Sequence, residues 1–245
     1  MSAVMTKADK VAHKIEWRCF ETREQMVDEL AEACCEALMR GIRKRGTASW
    51  AVSGGSTPKP LFDAMSQAEI DWENIQVALV DERWVDTDHP RSNEAFMRAA
   101  LQKGHAAEAM YIGMKTPHAT PFEAVEAVNA RYAQVKQPFD SVLLGLGSDG
   151  HTASFFPDAE GLEAALDTTG DKTCVALRAQ KSDVTGDEVD RMSLSAAAIA
   201  KAPHVVLMIT GDEKKAVLER ALAVDTHLPI ARLAETVAIT VYWAP

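Results

Sequence analysis

Residues 141–154 read SVLLGLGSDGHTAS: an almost wholly apolar run that ends in glycines, then an aspartate and a histidine two positions apart. The run lacks the polar alternation of a strand with one face in water. It belongs to a strand buried on both faces, the signature of a parallel sheet covered by helices. The glycines after it turn the chain sharply, at the edge where sheets of this kind bind ligands.

The rest of the chain repeats the pattern. ASWAV (48–52), VALVDE (77–82), CVAL (174–177), HVVLMIT (204–210) and VAITVYW (237–243) are further strand candidates. Helical segments lie between them. Thr22 and Gln25 form a capping box that opens a helix to about Arg45, with Met26, Leu30, Ala33, Ala37 and Leu38 as its apolar stripe and Gly46 as its stop. Thr57 can cap the next helix, with Pro58 at its first position. Ser92 opens SNEAFMRAAL, and Thr120, Pro121 and Glu123 start a helix to about Lys136. GDEKKAVLERAL (211–222) is a helix, capped by Asp212, between the last two strands. Strands alternating with helices predict an α/β, Rossmann-like doubly wound, mostly parallel sheet with helices on both faces. The polar segment 181–190 reads as a surface loop.

Length and composition bound the function. A chain of 245 residues without repeat, linker or low-complexity tract reads as a single domain over 1–245. A hydrophobic fraction of 47% with 25% charged residues supports a buried core. A net charge of −10 argues against nucleic acid and anionic membranes as partners, so an anionic ligand needs a local cluster of cations. Cys19, Cys34, Cys35 and Cys174 lack the spacing of a zinc or redox motif and read as reduced thiols. The start of the chain has no apolar segment of a secretory signal, and no run approaches the ~18 residues of a membrane span. The expectation is a cytoplasmic protein, monomeric or a small homo-oligomer.

Four polar loops each follow a strand: SGGSTP, DERW, GLGSDGH and GDEKK. In Ser53, Gly54, Gly55, Ser56 and Thr57 two glycines allow close approach of the backbone, and the N–H groups at a helix start favour an anion. The loop is either a phosphate cradle or an ordinary tight turn; it is neither a Walker loop nor GxGxxG. Lys214 and Lys215 sit in the first turn of a helix, where cations oppose the dipole by ~0.3–1 kcal/mol each. Either water tolerates them or Lys214 points at a bound phosphate. Asp81, Glu82 and Arg83 end a strand, where charges commonly face solvent; the other reading makes Arg83 a fixed cation beside a substrate. Arg191 is a further candidate, and Arg91 reads as a surface residue. His151 stands apart from His13, His89, His105, His118, His204 and His227, which lack such a setting and form no metal-binding pair. Asp149 can set its tautomer and raise its basicity, which makes His151 a candidate base for activating water.

Together AVSGGSTPKPLFDAM, VDERWVDTDHPRSNEAF, LLGLGSDGHTASFFP, RMSLS and TGDEKKAVL resemble the 6-phosphogluconolactonases, in that family's order, from about Ala51 to the chain end. The resemblance implies hydrolysis of 6-phosphoglucono-δ-lactone to 6-phosphogluconate, in the oxidative branch of the pentose phosphate pathway. It implies His151 as catalytic base, and Ser53 to Thr57, Arg83 and Lys214 around the phosphorylated substrate with Arg191 near it. Asp81 would organise Arg83 or a substrate hydroxyl. No metal or organic cofactor is expected. Related deaminases resemble DGHIAFNEP at residues 149–157; their relay glutamate falls at Phe156 here, and they carry an aromatic residue at Arg83. Both departures speak against ring opening and deamination. The remaining alternatives are a sugar-phosphate deaminase or isomerase, and a non-enzymatic sugar-phosphate sensor.

Overall fold

The computed structural model describes residues 14–245. The segment read as lacking a signal, and His13, lie largely or wholly outside these residues.

Ten strands are numbered in chain order. β1 (Ile15–Cys19), β2 (Ala48–Val52), β3 (Ile75–Leu79), β5 (Met110–Ile112), β6 (Ser141–Leu144), β9 (Val205–Thr210) and β10 (Ile239–Ala244) form one sheet, with β4 (Asp81–Arg83), β7 (Cys174–Arg178) and β8 (Asp190–Leu194) in another. The large sheet has the order β1-β10-β9-β6-β2-β3-β5 and every pairing in it is parallel. From β2 the chain moves outward to β3 and β5, then returns to the other side of β2 with β6 and continues to β9 and β10. The direction of winding therefore reverses between β2 and β6. Val52 lies opposite both Leu79 and Leu143, so the carboxyl ends of β2, β3 and β6 are level and their following loops are neighbours.

The helices are α1 (Arg23–Arg45), α2 (Lys59–Ser66), α3 (Asn93–Leu101), α4 (Pro121–Tyr132), α5 (Leu162–Leu166), α6 (Ala196–Ala200), α7 (Asp212–Ala223) and α8 (Pro229–Ala234). In α1 the Thr22 hydroxyl accepts from the Gln25 N–H at 3.2 Å, and Gly46 ends the helix in the left-handed region at φ 79°. Its stripe of Met26, Leu30, Ala37 and Leu38 is buried. All of β2 is buried, and Trp50 meets Phe62 of α2 edge-on at 5.9 Å. Such near-continuous apolar strands bury both faces only because helices cover them.

Five readings of the sequence need correction. Thr57 does not cap α2; Pro58 takes the N-cap position in a helical conformation, without a side-chain bond. Asp212 is the first residue inside α7, and Gly211, at φ 83°, precedes it. α4 ends at Tyr132 rather than near Lys136. VALVDE is two strands, since the chain leaves the large sheet at Val80 and pairs as β4 with β8. CVAL is a strand, β7, but of the small antiparallel sheet β4-β8-β7. The two sheets remain joined through Val80, whose N–H donates to the Val52 carbonyl at 2.9 Å and whose carbonyl accepts from Leu194 N–H at 2.7 Å.

Candidate active site

A cleft of about 520 Å³ opens where the winding of the large sheet reverses. Its wall carries the glycine turn after β2, the turn after β6, the start of α7 and the facing edge of the small sheet. This is where open α/β sheets bind ligands, because the loops on either side of the reversal diverge.

The turn after β6 folds upon itself. Gly147 N–H donates to the His151 carbonyl at 2.8 Å and Gly150 N–H to the Gly147 carbonyl at 3.1 Å. This brings Asp149 Oδ1 to 2.5 Å from His151 Nδ1 and 3.1 Å from the His151 N–H. Burial pushes the Asp149 carboxyl up, but the bonds from His151 outweigh it and hold the carboxyl below its ordinary value. An ionised Asp149 makes Nδ1 the protonated nitrogen and leaves Nε2 with its lone pair. Gly147 is required here: a Cβ on it would stand 2.0 Å from His151 Nδ1. Behind the imidazole, Phe156 stacks at 4.0 Å between centroids. Ala153, also on the cleft wall, holds φ 50°, a left-handed conformation rare for a residue with a Cβ.

The cleft also carries cations. Arg83 and Arg191 are direct cross-strand partners of β4 and β8. Like charges so placed repel, and neither forms a salt bridge among the described residues. Arg191 is 2% exposed, its Nε has no hydrogen-bond partner among the described residues, and burial pulls its pKa down to about 10. Its guanidinium lies over Phe156, with Cζ 5.1 Å from the ring centroid. Half-buried Lys214 lines the cleft from the first turn of α7, while Lys215 beside it covers Trp243 at 4.1 Å. The two lysines of GDEKK thus have separate surroundings.

Asp81 is buried and locked. Ser154 Oγ donates to its Oδ2 at 2.6 Å, and Asn93 Nδ2 lies 3.3 Å from Oδ1 and 2.9 Å from its carbonyl. Glu82, pointing to the other face of β4, does not line the cleft. Its carboxylate accepts from the N–H groups of Arg83, Asn93 and Glu94 and from the Ser92 hydroxyl, so it anchors the start of α3.

Ser53, Gly54, Gly55, Ser56, Thr57, Asp81, Arg83, His151, Arg191 and Lys214 all line the one cleft, and Asp149 stands behind His151. The Ser53 hydroxyl is committed to the Leu143 carbonyl at 2.9 Å, so Ser53 ties the turn to β6. Gly54 packs against Asn93: a Cβ there would lie 2.1 Å from Asn93 Oδ1. Sequence reasoning did not find Asn93 or Ser154, and it singled out Phe156 only as the position of the deaminases' relay glutamate, not as a ring stacked on His151. Ser154 lies within the DGHTAS stretch, but nothing in spacing alone pairs it with Asp81, 73 residues away. Nor was segment 181–190 only a surface loop: Val184 lines the cleft and Thr185 is buried.

Comparison with known proteins agrees with this architecture. Residues 21–243 match the family model described as glucosamine-6-phosphate isomerases/6-phosphogluconolactonase. A 6-phosphogluconolactonase of Rhizobium meliloti (strain 1021) is 38% identical over 230 residues, 92% of this chain and 97% of that protein. One from Pseudomonas aeruginosa is 36% identical over 88% of this chain and 89% of its own. The crystal structure of a 6-phosphogluconolactonase from Shewanella baltica OS155 superposes with a TM-score of 0.87 at 33% identity, covering 94% of this chain and 98% of that one. With the reversal-point cleft, the Asp–His pair and a family match over nearly the whole length, the chain belongs to the glucosamine-6-phosphate isomerase/6-phosphogluconolactonase family.

Proposed function

We propose that this protein is a 6-phosphogluconolactonase, a carboxylic ester hydrolase that opens 6-phospho-D-glucono-1,5-lactone to 6-phospho-D-gluconate in the cytoplasm. The observation that carries the reading is the placement in one cleft of an Asp-oriented imidazole and three cations that form no salt bridge among the described residues. Relatives at 36–38% identity bear that name.

In this reading His151 Nε2 takes a proton from water as its oxygen attacks C1 of the lactone. Asp149 holds the Nδ1 proton and stabilises the imidazolium that forms. Collapse of the tetrahedral intermediate breaks the bond from C1 to the ring oxygen, and His151 returns the proton to that oxygen. C1 leaves as a carboxylic acid, which ionises. Water is the nucleophile, so no covalent enzyme intermediate is needed. The phosphate is held far from C1 by the turn at residues 53–57, Arg83, Arg191 and Lys214, and its binding energy fixes C1 against His151. Asp81, pinned by Ser154 and Asn93, accepts from a sugar hydroxyl. Phe156 distinguishes this site from one built for deamination: an apolar ring against the imidazole relays no proton.

The test is hydrolysis of fresh lactone, coupled to 6-phosphogluconate dehydrogenase and corrected for spontaneous opening. His151→Ala is expected to lower kcat by ~10²–10⁴-fold. A variant with nearly full turnover ends this assignment. Ammonia release from glucosamine 6-phosphate by the wild type would favour the deaminase instead.

A further inference from the structure

Arg91 lies in the connection between β4 and α3, and its side chain is 35% exposed. It is linked to both arginines of the cleft, to Arg83 directly and to Arg191 through a shared acceptor. Its main-chain carbonyl accepts from Arg83 Nη1 at 2.6 Å. Its own Nη2 donates to the Thr185 carbonyl at 3.0 Å, and Arg191 Nη2 donates to that same oxygen at 3.2 Å. Its Nη1 forms an ion pair with Glu188 Oε2 at 2.5 Å.

The carbonyl that the two guanidiniums share is held firmly. Thr185 is buried, its Oγ1 accepting from Ser182 N–H and donating to the Gln180 carbonyl, both at 2.8 Å. The neighbouring residue, Val184, forms part of the cleft wall. On the other side of Thr185, Gly186 has φ +67°, and a Cβ there would lie 2.0 Å from Arg91 Nη1. The backbone of the β7–β8 connection is therefore shaped around the Arg91 guanidinium. A planar guanidinium that donates to a carbonyl with one nitrogen and sits in an ion pair through another resists rotation, which an ammonium group cannot do.

We propose that Arg91 is a positioning residue for anion binding: it straps the β7–β8 connection to the β4–α3 connection and thereby sets Arg83, Arg191 and Val184 around the phosphate end of the substrate. This rests on the reading of the cleft as a phosphosugar site. Arg91 itself does not touch the substrate. Without the strap the β7–β8 connection loses its tie to the β4–α3 connection, and the Thr185 carbonyl that holds Arg191 Nη2 is no longer fixed from the Arg91 side. The phosphate then loses the geometry of charge-assisted bonds, whereas the Asp149–His151 hydrogen bond, closed within its own turn, is kept.

The experiment measures KM and kcat for the phosphorylated lactone, and separately the Kd of 6-phosphogluconate by calorimetry, for wild type, Arg91→Ala and Arg91→Lys. Arg91→Ala is expected to raise KM and Kd together by about tenfold, the equivalent of one weakened charge-assisted bond. Its kcat should fall far less, and Arg91→Lys should recover only part of the loss. In an Arg83→Ala/Arg191→Ala background, adding Arg91→Ala should change Kd by less than about twofold, since the groups it positions are gone. Wild-type KM and Kd in Arg91→Ala would overturn the proposal, as would a full tenfold effect in the doubly substituted background. If Arg91→Ala does not fold, Glu188→Ala, which removes only its ion partner, must raise Kd in the same direction or the proposal fails. A wild type that neither hydrolyses the lactone nor binds 6-phosphogluconate sinks the proposed function instead, a result distinct from the others.

Discussion

The position with least freedom in the cleft is a glycine. Gly147 has no need of left-handed backbone, yet a Cβ on it would lie 2.0 Å from His151 Nδ1 and 2.5 Å from Asp149 Oδ1. The imidazole and carboxylate occupy the space a side chain would take, so Gly147→Ala must push both groups away. A displacement of ~1 Å in a reacting group can cost ~10²-fold in rate. We expect Gly147→Ala to lower kcat by about that factor while the affinity for 6-phosphogluconate stays within about threefold, because Arg83, Arg191 and Lys214 come from other elements than this turn. Single-turnover hydrolysis and calorimetry separate the two quantities. A fall in affinity with kcat intact would mean that this turn binds the substrate rather than orienting a base. The residue scale also shows why DGHTAS was readable: aspartate and histidine two apart, between glycines and after an apolar strand, can meet without any tertiary partner.

At the scale of elements, α3 depends on a side chain outside it. Glu82 of β4 accepts the N–H groups of Asn93 and Glu94 as well as the Ser92 hydroxyl, while Ser92 caps the helix by accepting from Ala95 N–H at 3.1 Å. Glu82→Ala leaves these donors buried and unpaired, at about 1–3 kcal/mol for each. Burial also pushes the Glu82 carboxyl up to about 7, despite the four donors around it. An acid whose folded pKa is raised keeps its proton longer in the folded chain than in the unfolded one. Its contribution to stability is therefore largest below ~4.3, the unfolded value, and is lost as pH climbs through about 7. Thermal melts between pH 4 and 8 should show this loss in wild type and not in Glu82→Ala; parallel curves would exclude it. Legibility of the elements followed burial. β2, β6, β9 and β10 were visible as apolar runs, because parallel strands covered on both faces need nothing else. β8, reading DRMSL, was not, since its polar residues meet their partners, 108 and 112 positions away, only after folding is complete: Arg191 faces Arg83, and Ser193 faces Asp81. β1 is an edge strand with exposed residues, and β5 has three residues. An apolar run such as VALVDE also carries no mark of where it passes from one sheet to another, and that passage is what aims Asp81 and Arg83 into the cleft.

For the whole molecule the governing tension is charge. The chain carries a net −10, which repels a phosphorylated substrate at a distance, yet Arg83, Arg191 and Lys214 face one cleft. The sheet geometry resolves this by bringing loops from four distant parts of the sequence to one edge, so that the local field is opposite in sign to the overall one. No spacing rule in the sequence reveals that sum; it exists only once β4 and β8 pair across the carboxyl ends of the large sheet. Two consequences can be measured together. Lys214→Ala should raise KM for the phosphorylated lactone by about tenfold or more while kcat changes little, as for a group that binds a part of the substrate remote from C1. Raising ionic strength from ~0.05 to ~0.5 M shortens the Debye length from about 14 to about 4 Å. It should therefore raise KM for the phosphorylated lactone in wild type, do so less steeply in Lys214→Ala, and leave KM for unphosphorylated δ-gluconolactone almost unaltered. If the two lactones respond equally to salt, the cations do not serve the phosphate, and the cleft is not the phosphosugar site its position in the sheet implies.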